Sequence, residues 1–143
     1  MSLTMFYSAA MNSLSRLATE PLAPWLAAQA LAERLEAQNR IRAIKEDPDN
    51  EPWSPWAPGT ERSRARKGNA SRGLLYDEGL LLASVMHRSS TTGFEVGIAN
   101  SVRYAPFLQN GTPYMPARPY LGWGKESLAE LELSAAAYLT KLI

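Results

Sequence analysis

The chain contains no cysteine and a single histidine, His87. The first absence excludes disulfides and thiolate chemistry, and it suits a protein made in a cytoplasm. The second leaves zinc hydrolases and histidine-centred triads almost without material. Long apolar runs are also missing. Nothing approaches the roughly 20 residues needed to span a bilayer, and the N-terminus lacks the basic-then-apolar order of a signal peptide. The expectation is a protein with no membrane partner. Net charge is only +1, so no global electrostatic partner is implied. No internal repeat is present. The one carboxylate cluster, Asp47, Asp49 and Glu51, lies among prolines without a histidine beside it. It reads as helix-stop and turn chemistry rather than a metal or acid–base site. No catalytic residue, no metal site and no cofactor are expected, and the chain does not read as an enzyme.

What is present suits one domain, 1–143, because 143 residues with 45% hydrophobic and 20% charged side chains can bury a modest core. Leu3, Phe6, Tyr7, Ala10, Met11, Leu14, Leu17 and Ala18 have the spacing of an amphipathic helix over 3–18. Pro24 is placed to open a second helix reaching about Lys45. Its apolar stripe is expected at Trp25, Ala28, Leu31, Ala32, Leu35 and Ile41. Asp47-Pro48-Asp49-Asn50 stops it, and Glu51 to Gly59 follows, with two tryptophans among prolines. Such a stretch is neither helix nor central strand. Trp53 and Trp56 are expected to anchor the loop on the body, the alternative being that one of them is a partner anchor.

Glu61 to Arg72 holds Arg62, Arg64, Arg66, Lys67 and Arg72 against Glu61, a local charge of +4. With Gly68, Asn69 and Ser71 it reads as a mobile basic loop over about 59–73. Such a loop is either simply solvated or a contact for phosphates or an acidic protein surface. A strand is expected over Leu81 to Ser89, a loop at Thr91-Thr92-Gly93, and a second strand carrying Phe94, Val96 and Ile98. His87 falls on this hairpin and reads as structural or exposed. Lys125 to Ile143 has Leu128, Leu131, Ala135, Tyr138, Leu139 and Leu142 at helical spacing, with acids first and Lys141 last. The fold class is therefore α+β: a small antiparallel sheet, with its hairpin at about 81–98, packed against long N-terminal helices and a C-terminal helix.

Arg103 to Trp123 concentrates four of the ten prolines, three of the six tyrosines and two of the nine glycines. Those prolines fix φ and force their predecessors toward extended backbone. A short helical piece at Tyr104 to Leu108, a turn at Asn110-Gly111 and an extended arm to Gly122 are expected. Arg118, between Ala117 and Pro119, stands on stiff backbone, suited to clamping a carboxylate or backbone carbonyls within or between subunits.

The order of four landmarks resembles that of the tailed-phage virion morphogenesis, or tail completion, family. They are Asn39-Arg40-Ile41 with Pro48-Asp49-Asn50-Glu51-Pro52-Trp53-Ser54-Pro55, the basic Arg64-Ala65-Arg66-Lys67-Gly68, and Leu75-Tyr76-Asp77-Glu78-Gly79-Leu80. The last is Tyr104-Ala105, Gln109-Asn110-Gly111 and Met115 to Gly122. Asn50 stands where the family has glycine, a mild change because asparagine tolerates left-handed backbone. Leu108 stands where a histidine is common. The resemblance implies a non-enzymatic structural virion protein, a ring-forming tail completion or head–tail joining (neck) component. Its partners would be further copies of itself and neighbouring neck, connector or tail proteins, with a passing contact to genomic DNA. Its site would be an assembly interface drawn from Trp53, Trp56, Arg62, Arg64, Arg66, Lys67, Tyr104, Gln109, Gly111, Pro116, Arg118 and Tyr120. The alternative is a nucleic-acid-binding module using 62–72, for which duplex binding should weaken steeply with salt.

Overall fold

In a computed structural model of the chain, residues 2–5 and 22–142 are described. They form an α+β body built on a three-stranded antiparallel sheet with strand order β1-β3-β2. β1 is Ser2–Met5, β2 is Val85–Ser89 and β3 is Phe94–Ile98. The hairpin register pairs Val85 with Ile98, His87 with Val96 and Ser89 with Phe94. Alternation therefore turns Phe94, Val96 and Ile98 to one face, where all are buried. On the other face Arg88 and Glu95 stand directly opposite and pair. The Ser90 hydroxyl accepts from the Thr92 and Gly93 amides and closes the hairpin loop.

β1 corrects the expected helix over 3–18 at its start. Ser2–Met5 is a strand registered on Gly97 to Phe94, because the second edge of β3 offers backbone groups that a strand satisfies. The rest of that expected helix lies outside the described residues.

Helix α1, Leu22–Asn39, crosses the buried face of the sheet and runs into a π-helical turn at Arg40–Ile44. Lys45, at φ 62°, ends it. The inward stripe is Leu22, Trp25, Leu26, Ala30, Ala37 and Ile41, whereas Ala28, Leu31, Ala32 and Leu35 face outward. The expected stripe is thus rotated. Small side chains at Ala30 and Ala37 let the helix approach the sheet closely, and alanine contributes little to a periodicity signal. Arg34 donates to Nδ1 of His87 on β2 at 3.4 Å, which gives the single histidine a structural place.

Two further elements differ from expectation. The stretch read as a mobile loop is a helix, α2, Pro58–Lys67, closed by Gly68 at φ 75° and followed by a 3-10 turn at Ala70–Arg72. Pro58 suits the first helical turn, and the cations near its C-terminus suit the helix dipole. The strand expected from Leu81 begins only at Val85, because Leu80–Ala83 forms one helical turn, α3. Gly79, at φ 91°, permits the reversal that starts it. Helix α4, Ala105–Asn110, and helix α5, Lys125–Leu142, follow the sequence reading closely. α5 docks on α1 through the Trp25 indole, which donates to the Ser134 hydroxyl at 3.0 Å and stacks on Tyr138. Trp123 meets Phe94 edge-on and ties the chain before α5 to the sheet.

Candidate functional site

The Asp47 to Gly59 segment starts as a tight turn. The Asp47 carboxylate accepts from the amides of Asp49 and Glu51, and Asn50 takes the left-handed conformation at φ 65°. The Asp49 carboxylate accepts from the Lys125 amide, at the first turn of α5. These carboxylates are turn and capping groups. Chain return brings Trp53 into the core, where its indole donates to the Pro119 carbonyl at 2.8 Å.

Arg118 completes the join. Its side chain is buried and forks onto backbone, Nε donating to the Ser54 carbonyl and Nη2 to the Pro55 carbonyl, both at 2.8 Å. Burial holds its pKa below the usual arginine value. Here the clamp works within one chain, holding the 104–122 arm against the tryptophan-proline segment. Gln109 braces the same arm: its amide donates to the Leu121 carbonyl, and its oxygen accepts from the Tyr120 and Leu121 amides. Tyr120 is fully buried and donates its hydroxyl to the Ala105 carbonyl at 2.9 Å. Burial, reinforced by Tyr104, raises its pKa. Gly111 sits at φ 75°, and a Cβ there would stand 2.7 Å from the Ala117 nitrogen. No side chain fits that turn.

The basic segment is organised by one acid. Asp77 receives Lys67 at 3.1 Å, Arg64 at 3.5 Å and the Asn69 amide at 2.6 Å. The Asn69 hydrogen bond is the main reason its carboxyl titrates below the usual range. Arg72 donates to the Asp77 carbonyl and Arg64 to the Tyr76 carbonyl, while Arg64 also lies over the Trp56 ring at 5.2 Å. Three of the five cations are therefore committed to the protein itself. Arg62 and Arg66 stand exposed on α2.

These segments enclose a cleft of about 620 Å³. One wall is Pro55, Trp56 and Thr60, another is Leu74, Leu75 and Asp77 to Leu81, and the third is Tyr104, Leu108 and Tyr114 to Pro116. Arg64 and Arg118 also line it, and both are engaged in internal bonds. The cleft mouth is rich in uncovered apolar surface: Leu80 is 55% exposed and Tyr114 98%. Of the residues singled out from sequence, Trp56, Arg64, Tyr104, Pro116 and Arg118 line the cleft. Trp53, Gln109, Gly111 and Tyr120 lie behind it as supports, and Arg62, Arg66 and Lys67 lie outside. Sequence reasoning missed Tyr114, Asp77 and Asn69 as individual residues. An aromatic at the tip of the Thr112–Met115 turn was a usable signal for Tyr114. Asn69 looked merely flexible, because its partner is fixed only by folding.

Among the described residues, no group of three acidic, histidine or cysteine side chains could hold a metal, and no helix is long and apolar enough to cross a membrane. The walls of the cleft are held by internal hydrogen bonds, and the described residues form a small α+β body. Residues 7–140 match the profile of the phage virion morphogenesis family, and the chain belongs to that family. It has a structural role in the assembly of phage virions. No curated protein and no solved structure matches it.

Proposed function

We propose that this protein completes or joins the tail of a tailed phage: a ring-forming subunit at the head–tail junction or the head-proximal tail end, without enzymatic activity. Its contacts there are with further copies of itself and with neck, connector or tail proteins. The observation that carries the reading is the convergence of three landmark segments, 55–56, 74–81 and 104–118, on one cleft. Internal bonds from Arg64, Arg118 and Gln109 hold those walls in place. A surface fixed in this way loses little freedom on docking, as an assembly part requires. Repeated heterologous contact about an axis then closes a ring.

Complementation of a phage lacking this protein, with electron microscopy of the particles, tests the proposal. The Tyr104→Ser/Tyr114→Ser double variant should stay folded and leave heads and tails unjoined. A full titre of intact particles from that variant would remove the cleft from assembly. Density for the wild-type chain placed away from the head–tail junction by electron cryo-microscopy would overturn the location.

A further inference from the structure

The cleft has the chemistry of a receptor for one kind of segment. Most backbone acceptors on its walls are already used. The Pro55 carbonyl takes Arg118, Leu74 takes Lys45, Asp77 takes Arg72, and Leu108 takes the Arg118 amide. The Gly79 and Leu80 carbonyls serve α3, and Met115 bonds Thr112 across its turn. No sheet edge is offered, so an incoming strand would find no ladder to join. Side-chain donors, in contrast, remain without hydrogen-bond partners among the described residues: the Trp56 indole and the Tyr104 and Tyr114 hydroxyls. Flat aromatic faces, unbonded aromatic donors and no backbone edge suit a polyproline II segment. Such a segment is extended, needs no donated ladder, and presents its carbonyls outward. One edge of the cleft is acidic. Glu78 is exposed beside Asp77, and these two carboxylates, after burial, raise the Tyr104 pKa. Asp77 is already neutralised by Lys67 and Arg64, whereas Glu78 has no ion-pair partner among the described residues.

We propose that the cleft binds a proline-rich segment of a partner protein in the polyproline II conformation, with a lysine or arginine of that segment set against Glu78. The inference rests on reading the cleft as an assembly surface and names what enters it.

A fluorescein-labelled decaproline peptide with one central arginine, titrated with the full chain and followed by fluorescence anisotropy, tests it. Saturable binding is expected below about 1 mM, within the range of weak specific complexes. Replacing the arginine with glutamate, or Glu78 with glutamine, should weaken binding roughly fivefold, the scale of an exposed ion pair. Tyr114→Ser, at a side chain 98% exposed, should weaken it roughly tenfold without changing the melting temperature. Absence of binding at 1 mM overturns the proposal, as does binding indifferent to both charge changes. Concentration-dependent self-association abolished by Tyr114→Ser would assign the cleft to a second copy and overturn it as well. If the peptide fails while the tyrosine variants still block virion assembly, the ligand class falls and the assembly role stands.

Discussion

Arg118 and Tyr120 show how much of this molecule depends on single side chains reaching backbone. Arg118 satisfies two carbonyls with two differently directed N–H groups, a geometry an ammonium cannot reproduce. Arg118→Lys should therefore lower unfolding stability by about 1–3 kcal/mol in urea titration, the cost of a buried acceptor left unpaired. An unchanged urea midpoint would mean that water or the lysine serves both carbonyls equally well. Tyr120→Phe leaves the Ala105 carbonyl without its side-chain donor and should cost about 1–2 kcal/mol by the same measurement. The stiff setting of Arg118 between Ala117 and Pro119 was legible in the sequence. Its partners were not, since Ser54 and Pro55 lie more than 60 residues away.

At the scale of elements, α2 carries the clearest lesson. Its composition, cation-rich with Gly68 and Asn69 following, has the look of a solvated loop. A proline at its first turn, cations near its end and a left-handed glycine cap make it a helix. Asp77 then pulls it onto the body through Arg64, Lys67 and the neighbouring Asn69. Asp77→Ala should release α2, read as a several-fold rise in trypsin cleavage between Arg62 and Lys67 with little change in the global melting temperature. Cleavage at the wild-type rate would show that Arg64 stacked on Trp56 holds the helix alone. The 111–117 turn is less forgiving. Gly111→Ala adds a Cβ at positive φ against backbone and should cost about 1–3 kcal/mol in chemical denaturation. A neutral effect would mean that the turn relaxes freely.

Across the molecule, two half-buried groups shape the pH profile near neutrality. Burial, with Glu36 nearby, raises Glu33 from 4.5 to about 7. Between those values the folded state holds a proton that the unfolded chain has released, so stability should fall as pH rises from 4.5 to 7. Burial, with the Arg64 charge, lowers Lys45 from 10.5 to about 8. Above pH 8 the folded state has lost a proton that the unfolded chain keeps until 10.5, so stability should climb again. Urea midpoints across pH should therefore show a minimum near pH 7–8, and Glu33→Gln should flatten only the acidic limb. A variant that keeps the full acidic slope would assign that limb to another group.

The α+β class, the hairpin, the C-terminal helix, the turn at Asn110-Gly111 and the family could all be read along the chain. Each of these is written in periodicities or turn residues within a few positions of one another, or in the order of short landmarks. The closed fold was needed to show which face of α1 is buried, that Ser2–Met5 is a strand, and that Arg64, Lys67 and Arg72 bond internally. It also brought 55–56, 74–81 and 104–118 together as one cleft. The difference is one of range. A helical period or a glycine turn acts through neighbouring residues, whereas the partner of a buried polar group is whatever the closed chain places within hydrogen-bonding distance.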